Sequence, residues 1–196
     1  MTAKGGVLFG TTDEGGAAGA GTAFSLDPKT QRANFVYAFK GTPDGQNPGG
    51  DLVLHDGNFY GVTVRGGDTN NGTVFELTRE GVEKVLYSFK GGADGGVPRT
   101  LMLDGGALYG TASAGGGGAC TNYQCGTIFK FDLKSGAKTT IHGFTGGADG
   151  WGPSGALISF GGALYGTTEA GGSDIAACQR LFQDATGCGT VFKLTE

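Results

Sequence analysis

The sequence predicts an all-β fold, a β-propeller-like array of about four four-stranded blades in which the first and last blades are incomplete. The main observation is a motif of four elements that returns about every 50 residues. Each element is a short run of aromatic and β-branched residues between Gly, Asp, Asn or Pro, which is typical of strands. No stretch combines a sustained helical period with capping residues. Four-stranded units repeated radially and buried on both faces are typical of propeller blades.

The first two elements of the motif contain Gly-Thr in every copy except "NFYGVT", which has Gly-Val. The run "VLFGTT", which starts at Val7, returns as "NFYGVT", "ALYGTA" and "ALYGTT", and a Gly-Gly pair follows each copy. The run "GTAFSL" returns as "GTVFEL", "GTIFKF" and "GTVFKL". We expect these runs to form the second and third strands of each blade.

The other two elements complete the blade. "FVYAFKG" returns as "VLYSFKG" and "TIHGFTG", and each copy leads into an Asp-Gly crossover that ends in Pro. "DLVL", "TLML" and "ALIS" follow the crossovers. In the usual blade order these last runs are the innermost strands, and "VLYSF" is the outermost strand. Tight turns such as Asp56-Gly57 and Gly105-Gly106 suit the hairpins between inner and second strands.

The repeats make one domain, residues 1–196, with approximate boundaries at 7–57, 58–106, 107–162 and 163–196. The first copy starts at a second strand and the last copy ends at a third, so we expect fourteen strands, grouped three, four, four and three. A closed four-bladed ring is one solution, and a partial array completed by a second chain is another. A β-sandwich or a β-solenoid is the rival architecture.

The composition excludes several classes of protein. The chain has 43 Gly and 5 Pro, about a quarter of its residues, which by itself suggests low complexity. A net charge of only −4 and the 13 Phe residues favour a packed core instead. No apolar run reaches the roughly 18 residues of a membrane span, and we expect no signal peptide in this sequence. The basic residues are scattered, so we expect no nucleic-acid partner.

The combined pattern of "ALYGTT", a Gly-Gly pair, "CGTVFKLT" and "VLYSFKGGADG" resembles the extracellular tandem-repeat family called GloVer repeats. The resemblance covers almost the whole chain. It implies a secreted or surface-anchored bacterial repeat protein with a propeller-like architecture, and it implies no settled activity. The sequence departs from the family pattern at "TIHGF" and in the long final insertion.

All four cysteines fall in equivalent loops between second and third strands. Cys120 and Cys125 lie in the third repeat, and Cys178 and Cys188 in the fourth. The pairing Cys120–Cys125 and Cys178–Cys188 would close each insertion on itself, which predicts an oxidising compartment. The protein would then be secreted, periplasmic or on the cell surface. Reduced structural thiols and a zinc site built from the four cysteines are the alternatives.

One aspartate recurs in each crossover, at Asp44, Asp94 and Asp149. We interpret these residues as turn-forming, since Asp-Gly turns bond side chain to backbone. A Ca²⁺ site is the alternative, and it would be the one cofactor of the protein, although one carboxylate per loop supplies few ligands.

Residues that break the repeat are the candidate functional residues. After the Gly-Thr-Thr motif the four copies read Asp13, Val64, Ser113 and Glu169. If the first and fourth blades are neighbours, Asp13 and Glu169 could form the paired carboxylates of a glycoside hydrolase, with solvated loop charges as the alternative.

The crossovers and the second-to-third-strand loops are expected on one face, which we name the loop face. Trp151, the single tryptophan, occupies a variable crossover position on this face and could stack on a sugar ring or fill a gap between blades. Tyr123, Phe182 and Arg99 complete the predicted ligand-binding residues. We expect no catalytic role for His55 or His142, and we interpret His142 as a replacement for the packed Tyr of the outer strand.

The sequence therefore predicts a secreted or cell-surface repeat module that binds an extracellular ligand, with carbohydrate as the leading candidate. A polysaccharide-acting glycoside hydrolase is one alternative. A self-assembling structural fragment, in which a homo-oligomer completes the ring of blades, is another.

Overall fold

The structure is a computed structural model that describes residues 1–117, 125–173 and 187–195. These residues form four antiparallel sheets that follow one another along the chain. The strands of the first two sheets are β1 (Thr2–Lys4), β2 (Val7–Thr12), β3 (Thr22–Asp27), β4 (Arg32–Ala38), β5 (Gly45–His55), β6 (Asn58–Gly66), β7 (Thr73–Leu77) and β8 (Glu83–Ser88). Those of the last two are β9 (Gly96–Asp104), β10 (Ala107–Ala114), β11 (Thr127–Asp132), β12 (Lys138–Gly143), β13 (Trp151–Pro153), β14 (Ile158–Phe160), β15 (Ala163–Ala170) and β16 (Val191–Thr195).

The strand order within the sheets is the predicted one. The second sheet runs β5-β6-β7-β8 and the third runs β9-β10-β11-β12, so each crossover carries the chain from an outer strand to the next inner strand. A 3₁₀ turn, Gly92–Asp94, lies in the crossover before β9. The inner strands β5 and β9 approach each other closely. A Cβ added to Gly50 of β5 would lie only 2.6 Å from the carbonyl oxygen of Arg99 in β9.

The first sheet corrects the prediction that the chain enters at a second strand. Thr2–Lys4 forms a short inner strand, and Ala3 pairs with Leu8 of β2. The turn at Gly5-Gly6 has φ of 60° and 79°, close to the 54° and 79° of Gly105-Gly106 in the third sheet. Both pairs provide the positive φ values of a tight hairpin turn. The Gly-Gly pair before "VLFGTT" was therefore the available signal for a complete first blade.

The fourth sheet has an interrupted inner strand. β13 pairs with the loop-face half of β15, and β14 pairs with its other half. β13 ends at Pro153, which has no N–H to donate to a ladder. β16 is the outermost described strand of this sheet, as expected for an incomplete last blade.

Three hydrophobic clusters join successive sheets. The first lies between the first and second sheets, the next between the second and third, and the last between the third and fourth. Each contains one edge-on contact between two Phe rings, with centroids 5.0–5.3 Å apart. Such edge-to-face pairs stabilise beyond their buried area. The pairs are Phe39–Phe75, Phe89–Phe129 and Phe144–Phe192.

A threonine pair joins the second and third strands in three of the four sheets. The hydroxyls lie 2.7–2.9 Å apart in Thr12–Thr22, Thr63–Thr73 and Thr168–Thr190. In the third sheet Ala112 replaces the first threonine, and the buried hydroxyl of Thr127 has no hydrogen-bond partner among the described residues. The third sheet therefore lacks a bond of a kind worth about 1 kcal/mol.

Candidate functional site: the loop face

The loop face is held together by backbone hydrogen bonds that repeat from sheet to sheet. It consists of the crossovers at 40–48, 90–98 and 145–153 and the described parts of the loops at 13–21, 67–72, 115–126 and 171–190. Each crossover donates a backbone N–H to the preceding sheet's loop. These bonds run from Asn47 to Ala20 (2.8 Å), from Val97 to Asn71 (2.8 Å) and from Gly152 to Cys125 (3.0 Å).

A second set of backbone bonds joins each crossover to the loop of the sheet that it enters. Here the loop donates and the crossover carbonyl accepts. Together the two sets form one continuous rim over three sheet interfaces, which places crossovers and loops on one face as predicted. The bonds run from Gly67 to Asp44 (2.7 Å), from Gly116 to Gly92 (3.3 Å) and from Gly172 to Gly147 (3.1 Å).

The recurring crossover aspartates hydrogen-bond this rim to the outer strands. The Asp44 carboxylate accepts from the Tyr37 hydroxyl at 2.9 Å and from the Lys40 N–H at 2.9 Å. The Asp94 carboxylate accepts in the same way from Tyr87 at 2.7 Å and Lys90 at 2.8 Å. Each carboxylate therefore ties its crossover to the end of the preceding outer strand, which supports the turn-forming interpretation.

Asp149 has the same place in the third crossover. Its carboxylate accepts from the N–H and the hydroxyl of Thr145, at 2.9 and 2.6 Å. His142 Nε2 lies 3.5 Å from it, where tyrosine stands in the other two copies. Burial raises the pKa of Asp149, but the Thr145 bonds outweigh it and leave the pKa below its usual value. The edge-on contact of His142 with Phe144, at 4.6 Å, matches its expected role as a packed substitute.

A buried lysine completes the aspartate site between the second and third sheets. The Lys138 side chain is 1% exposed, and its Nζ donates to Asp94 Oδ1 at 2.8 Å and to Thr140 at 2.7 Å. It also donates to the Asp94 carbonyl and lies 5.8 Å from the Tyr87 ring centroid. Burial lowers the pKa of Lys138, and Asp94 opposes that effect. Burial also raises the pKa of Asp94, but the bonds from Lys138 and the other donors outweigh it, so its pKa is lowered.

The equivalent site between the first and second sheets holds a glutamate instead. Glu83 is at the position of the second sheet that Lys138 has in the third. Glu83 pairs with Leu77, and Lys138 pairs with the equivalent residue Phe131. Burial and the neighbouring Asp44 carboxylate raise the pKa of Glu83 to about 7. Its Oε1 is buried without a hydrogen-bond partner among the described residues. The two interfaces therefore share a scaffold but differ in charge.

The variable position after the Gly-Thr-Thr motif lies beside the loop face in each sheet. The carbonyl of Asp13 accepts from Asn47 at 3.0 Å, and the hydroxyl of Ser113 accepts from Arg99 Nε at 3.1 Å. Glu169 is exposed, and its Oε2 lies 3.3 Å from the position that a Cβ on Gly152 would occupy. The structure therefore puts Asp13 in the first sheet and Glu169 in the fourth, and the three described core clusters do not join those two sheets.

Trp151 is half-buried at the start of β13, where it pairs with Ala170. It lies in the third crossover, on the loop face, and its strand partner Ala170 directly follows Glu169. The predicted aromatic neighbours Tyr123 and Phe182 lie outside the described residues. Arg99, at the start of the third inner strand, is exposed.

Cys125 and Cys188 are each disulfide-bonded. Cys120 and Cys178 lie outside the described residues, so the predicted pairing stays a prediction. Cys125 is 2% exposed and also takes part in the core between the third and fourth sheets.

A cleft at the outer edge of the loop face was not predicted from the sequence. It is open, measures about 570 Å³, and lies between the first crossover and the outer strand of the second sheet. Its polar lining includes Asp44, Asp68, Tyr87 and Lys90. The sequence did contain a signal. Lys90 directly follows the outer strand, Asp68 directly follows the Gly-Gly pair, and the rim brings these two turns together.

The described part of the chain offers no metal centre, since no three His, Cys, Asp or Glu residues in it are grouped to hold an ion. It also contains no helix with the length and apolar character of a membrane span.

Four-stranded antiparallel sheets that pack face to face in chain order, with crossovers from outer to inner strands, define a β-propeller-like repeat protein. The chain belongs to the Gloeobacter/Verrucomicrobia repeat family, whose pattern matches residues 1–196. This confirms the resemblance drawn from the motifs.

Solved structures resemble the chain in fold. One is a chain of a nidogen/laminin complex, with 17% identity and a TM-score of 0.52 over 83% of this chain and 52% of that one. Another is the computationally designed Ika8 protein, with 11% identity and a TM-score of 0.52 over 85% of this chain and 41% of that one. This protein therefore spans about half the length of these chains, and the likeness shows the fold alone. No curated protein matches the chain.

Proposed function

We propose that the protein is an extracellular repeat module that binds a ligand, with carbohydrate as the leading candidate, on its loop face. The observation that carries the proposal is the hydrogen-bonded rim, in which every crossover bonds the loops on both sides of it. Such a rim holds loop side chains in fixed positions, and fixed positions reduce the entropy lost on binding.

The side chains on this rim suit a polyhydroxylated ligand. Trp151 offers an apolar ring for stacking, and the exposed Glu169 carboxylate of the same sheet accepts hydrogen bonds from hydroxyls. Arg99 supplies donors at the third sheet. The cleft lined by Asp68 and Lys90 adds a second place where carboxylate and ammonium groups flank an aromatic residue, Tyr87.

Binding is favoured over hydrolysis by the position of the two candidate carboxylates. A two-carboxylate glycosidase needs them roughly 5–10 Å apart across one sugar bond. Within one chain, Asp13 and Glu169 belong to sheets that no described core cluster joins, so the geometry of a single chain gives the hydrolase alternative no support. Release of reducing ends from a polysaccharide, abolished by Glu169→Gln, would reverse this preference.

We assign the protein to an oxidising compartment because Cys125 and Cys188 are disulfide-bonded. The pairs Cys120–Cys125 and Cys178–Cys188 would each close one loop-face insertion on itself. Intact mass after alkylation without reductant is expected to show no adduct, and peptide mapping is expected to recover these two pairs. Four alkylated thiols, or pairs that cross between the insertions, would contradict the assignment.

Trp151→Ala is expected to weaken binding to a glycan that the parent protein binds on an array by about tenfold, because the ring loses its stacking contact. Glu169→Gln is expected to weaken it severalfold without disturbing packing, since Glu169 is exposed. Glu80→Gln is the matched control, because Glu80 is an exposed glutamate in the hairpin turn between β7 and β8, away from the loop face. A parent protein that binds no glycan would contradict the carbohydrate part of the proposal, as would equal losses in all three variants.

A further inference from the structure

The fourth sheet has an apolar face that nothing among the described residues covers. Val191 is 81% exposed and Ile158 is 65% exposed. Val191 pairs with Thr167, in the same register in which Ile128 of the third sheet pairs with Thr111. Ile128 and its second-sheet counterpart Val74 are both 0% exposed. The fourth sheet therefore presents the side chains that the second and third sheets bury against their successors.

The first sheet has the complementary face. Phe24 and Phe35 are paired across β3 and β4, and Phe35 is 65% exposed. Their neighbours Leu8 and Leu26 form the next pair on that face and are only half-buried. The second-sheet counterparts of Leu8, Phe24 and Leu26 are Phe59, Phe75 and Leu77, which are at most 1% exposed in the first core cluster.

We propose that the fourth-sheet face of one copy packs on the first-sheet face of a second copy, and that this contact repeats the interface within the chain. The chain already builds this interface three times, each time with the same strand positions on both sides. The two uncovered faces are its two halves. A second copy supplies both missing halves at once, because two head-to-tail contacts related by a two-fold axis leave neither face exposed.

The self-complementary alternative, fourth sheet against fourth sheet, fits less well. It would bring two Lys193 side chains into one contact, since Lys193 pairs with Tyr165 on the exposed face. Like charges that meet in an interface are repulsive. The first-sheet face carries Leu8, Phe24, Leu26 and Phe35 at the equivalent contact positions.

Light scattering and sedimentation velocity over about a hundredfold range of concentration test the proposal. The parent protein is expected to form a dimer that dissociates on dilution. Val191→Lys is expected to raise the dimer dissociation constant at least about tenfold, because it places an unpaired charge in the contact. Val82→Lys is the matched control, since Val82 is 63% exposed but lies in the turn before β8.

Phe35→Glu tests the other half of the contact. It is expected to raise the dimer dissociation constant at least about tenfold, as Val191→Lys does. A mixture of the two variants is expected to associate through the one contact that remains unaltered. Thermal unfolding of each monomer checks that the exposed substitutions leave the fold intact. A strictly monomeric parent overturns the proposal. A dimer that Val191→Lys does not affect overturns the surface, and a dimer lost with Val191→Lys but retained with Phe35→Glu overturns the pairing of fourth with first sheet.

Discussion

Gly110→Ala is expected to lower the free energy of unfolding by about 3 kcal/mol, because the site has no room for a methyl group. A Cβ at Gly110 would lie 2.4 Å from Cζ of Phe129 and 2.5 Å from the carbonyl oxygen of Thr100. Phe129 is 0% exposed, and the carbonyl belongs to the inner strand β9, so neither can move away cheaply. Urea unfolding monitored by circular dichroism measures the change.

Gly10→Ala is the matched control at the same place in the first copy of the motif. A Cβ there would lie 2.9 Å from Cγ of Met1 and 2.9 Å from Cζ of Phe24. Both are side-chain atoms at the first-sheet face, which is uncovered in the single chain, and Met1 is 66% exposed, so they can shift when the protein is diluted to monomers. The expected loss is under about 1 kcal/mol. Equal losses at Gly10 and Gly110 would contradict the steric explanation.

This contact explains why two separate parts of the motif occur together in the sequence. The glycine of the aromatic-Gly-Thr strand lies under the Phe ring of the following Gly-Thr strand, at Gly61 with Phe75 and at Gly166 with Phe192 as well. The sequence could predict that both runs are strands, because their length and bounding glycines are local signals. It could not predict why the glycine is needed, since the ring comes from a neighbouring strand.

The strand order was also predictable, because the repeat and the blade order together leave few choices. The short strand at Thr2–Lys4 was missed because three residues carry no period of their own. Its evidence is the turn Gly5-Gly6, which repeats the hairpin turn of the other copies. The interruption between β13 and β14 was not predictable from the apolar pattern, which continues through Leu157 and Ile158.

The candidate site was predictable only where residues break the repeat at an aligned position. Trp151 and Glu169 meet that condition, and both lie in the fourth sheet near its loop-face end. Glu83 and Lys138 also break the repeat, because they carry opposite charges at the same position. Each side chain contacts the aspartate of the crossover that leads into its own sheet. That contact depends on sheet packing, so the sequence alone did not point to it.

Lys138→Glu is expected to lower the free energy of unfolding at pH 8 by about 3 kcal/mol, because a buried ion pair loses one partner and gains a like charge. The Lys138 side chain is 1% exposed and donates to Asp94, so the substitution would leave two carboxylates together at the interface of the second and third sheets. Much of the loss is expected to disappear at pH 5, where one carboxyl can be protonated. Urea unfolding at the two pH values measures both effects.

The natural glutamate at the equivalent position makes the reciprocal test possible. The pKa of Glu83 is raised from 4.5 to about 7, first by burial and then by Asp44. A carboxyl whose pKa is raised in the folded state does not lower the free energy of unfolding below pH 4.5. It lowers the free energy of unfolding progressively as the pH rises from 4.5 to about 7. Because Glu83 is partly exposed to solvent, we expect this penalty to be only about 1 kcal/mol.

Glu83→Lys would give Asp44 the kind of partner that Asp94 has in Lys138. The variant is expected to be more stable than the parent at pH 8 by about 1 kcal/mol and to lose the fall in stability between pH 4.5 and 7. Lys84→Glu, which changes an exposed residue of the same strand, is the charge control. If Glu83→Lys destabilises the protein at pH 8, the two interfaces are not interchangeable. The charge at this position would then be specific to each pair of sheets, although the scaffold of tyrosine and aspartate around it is the same.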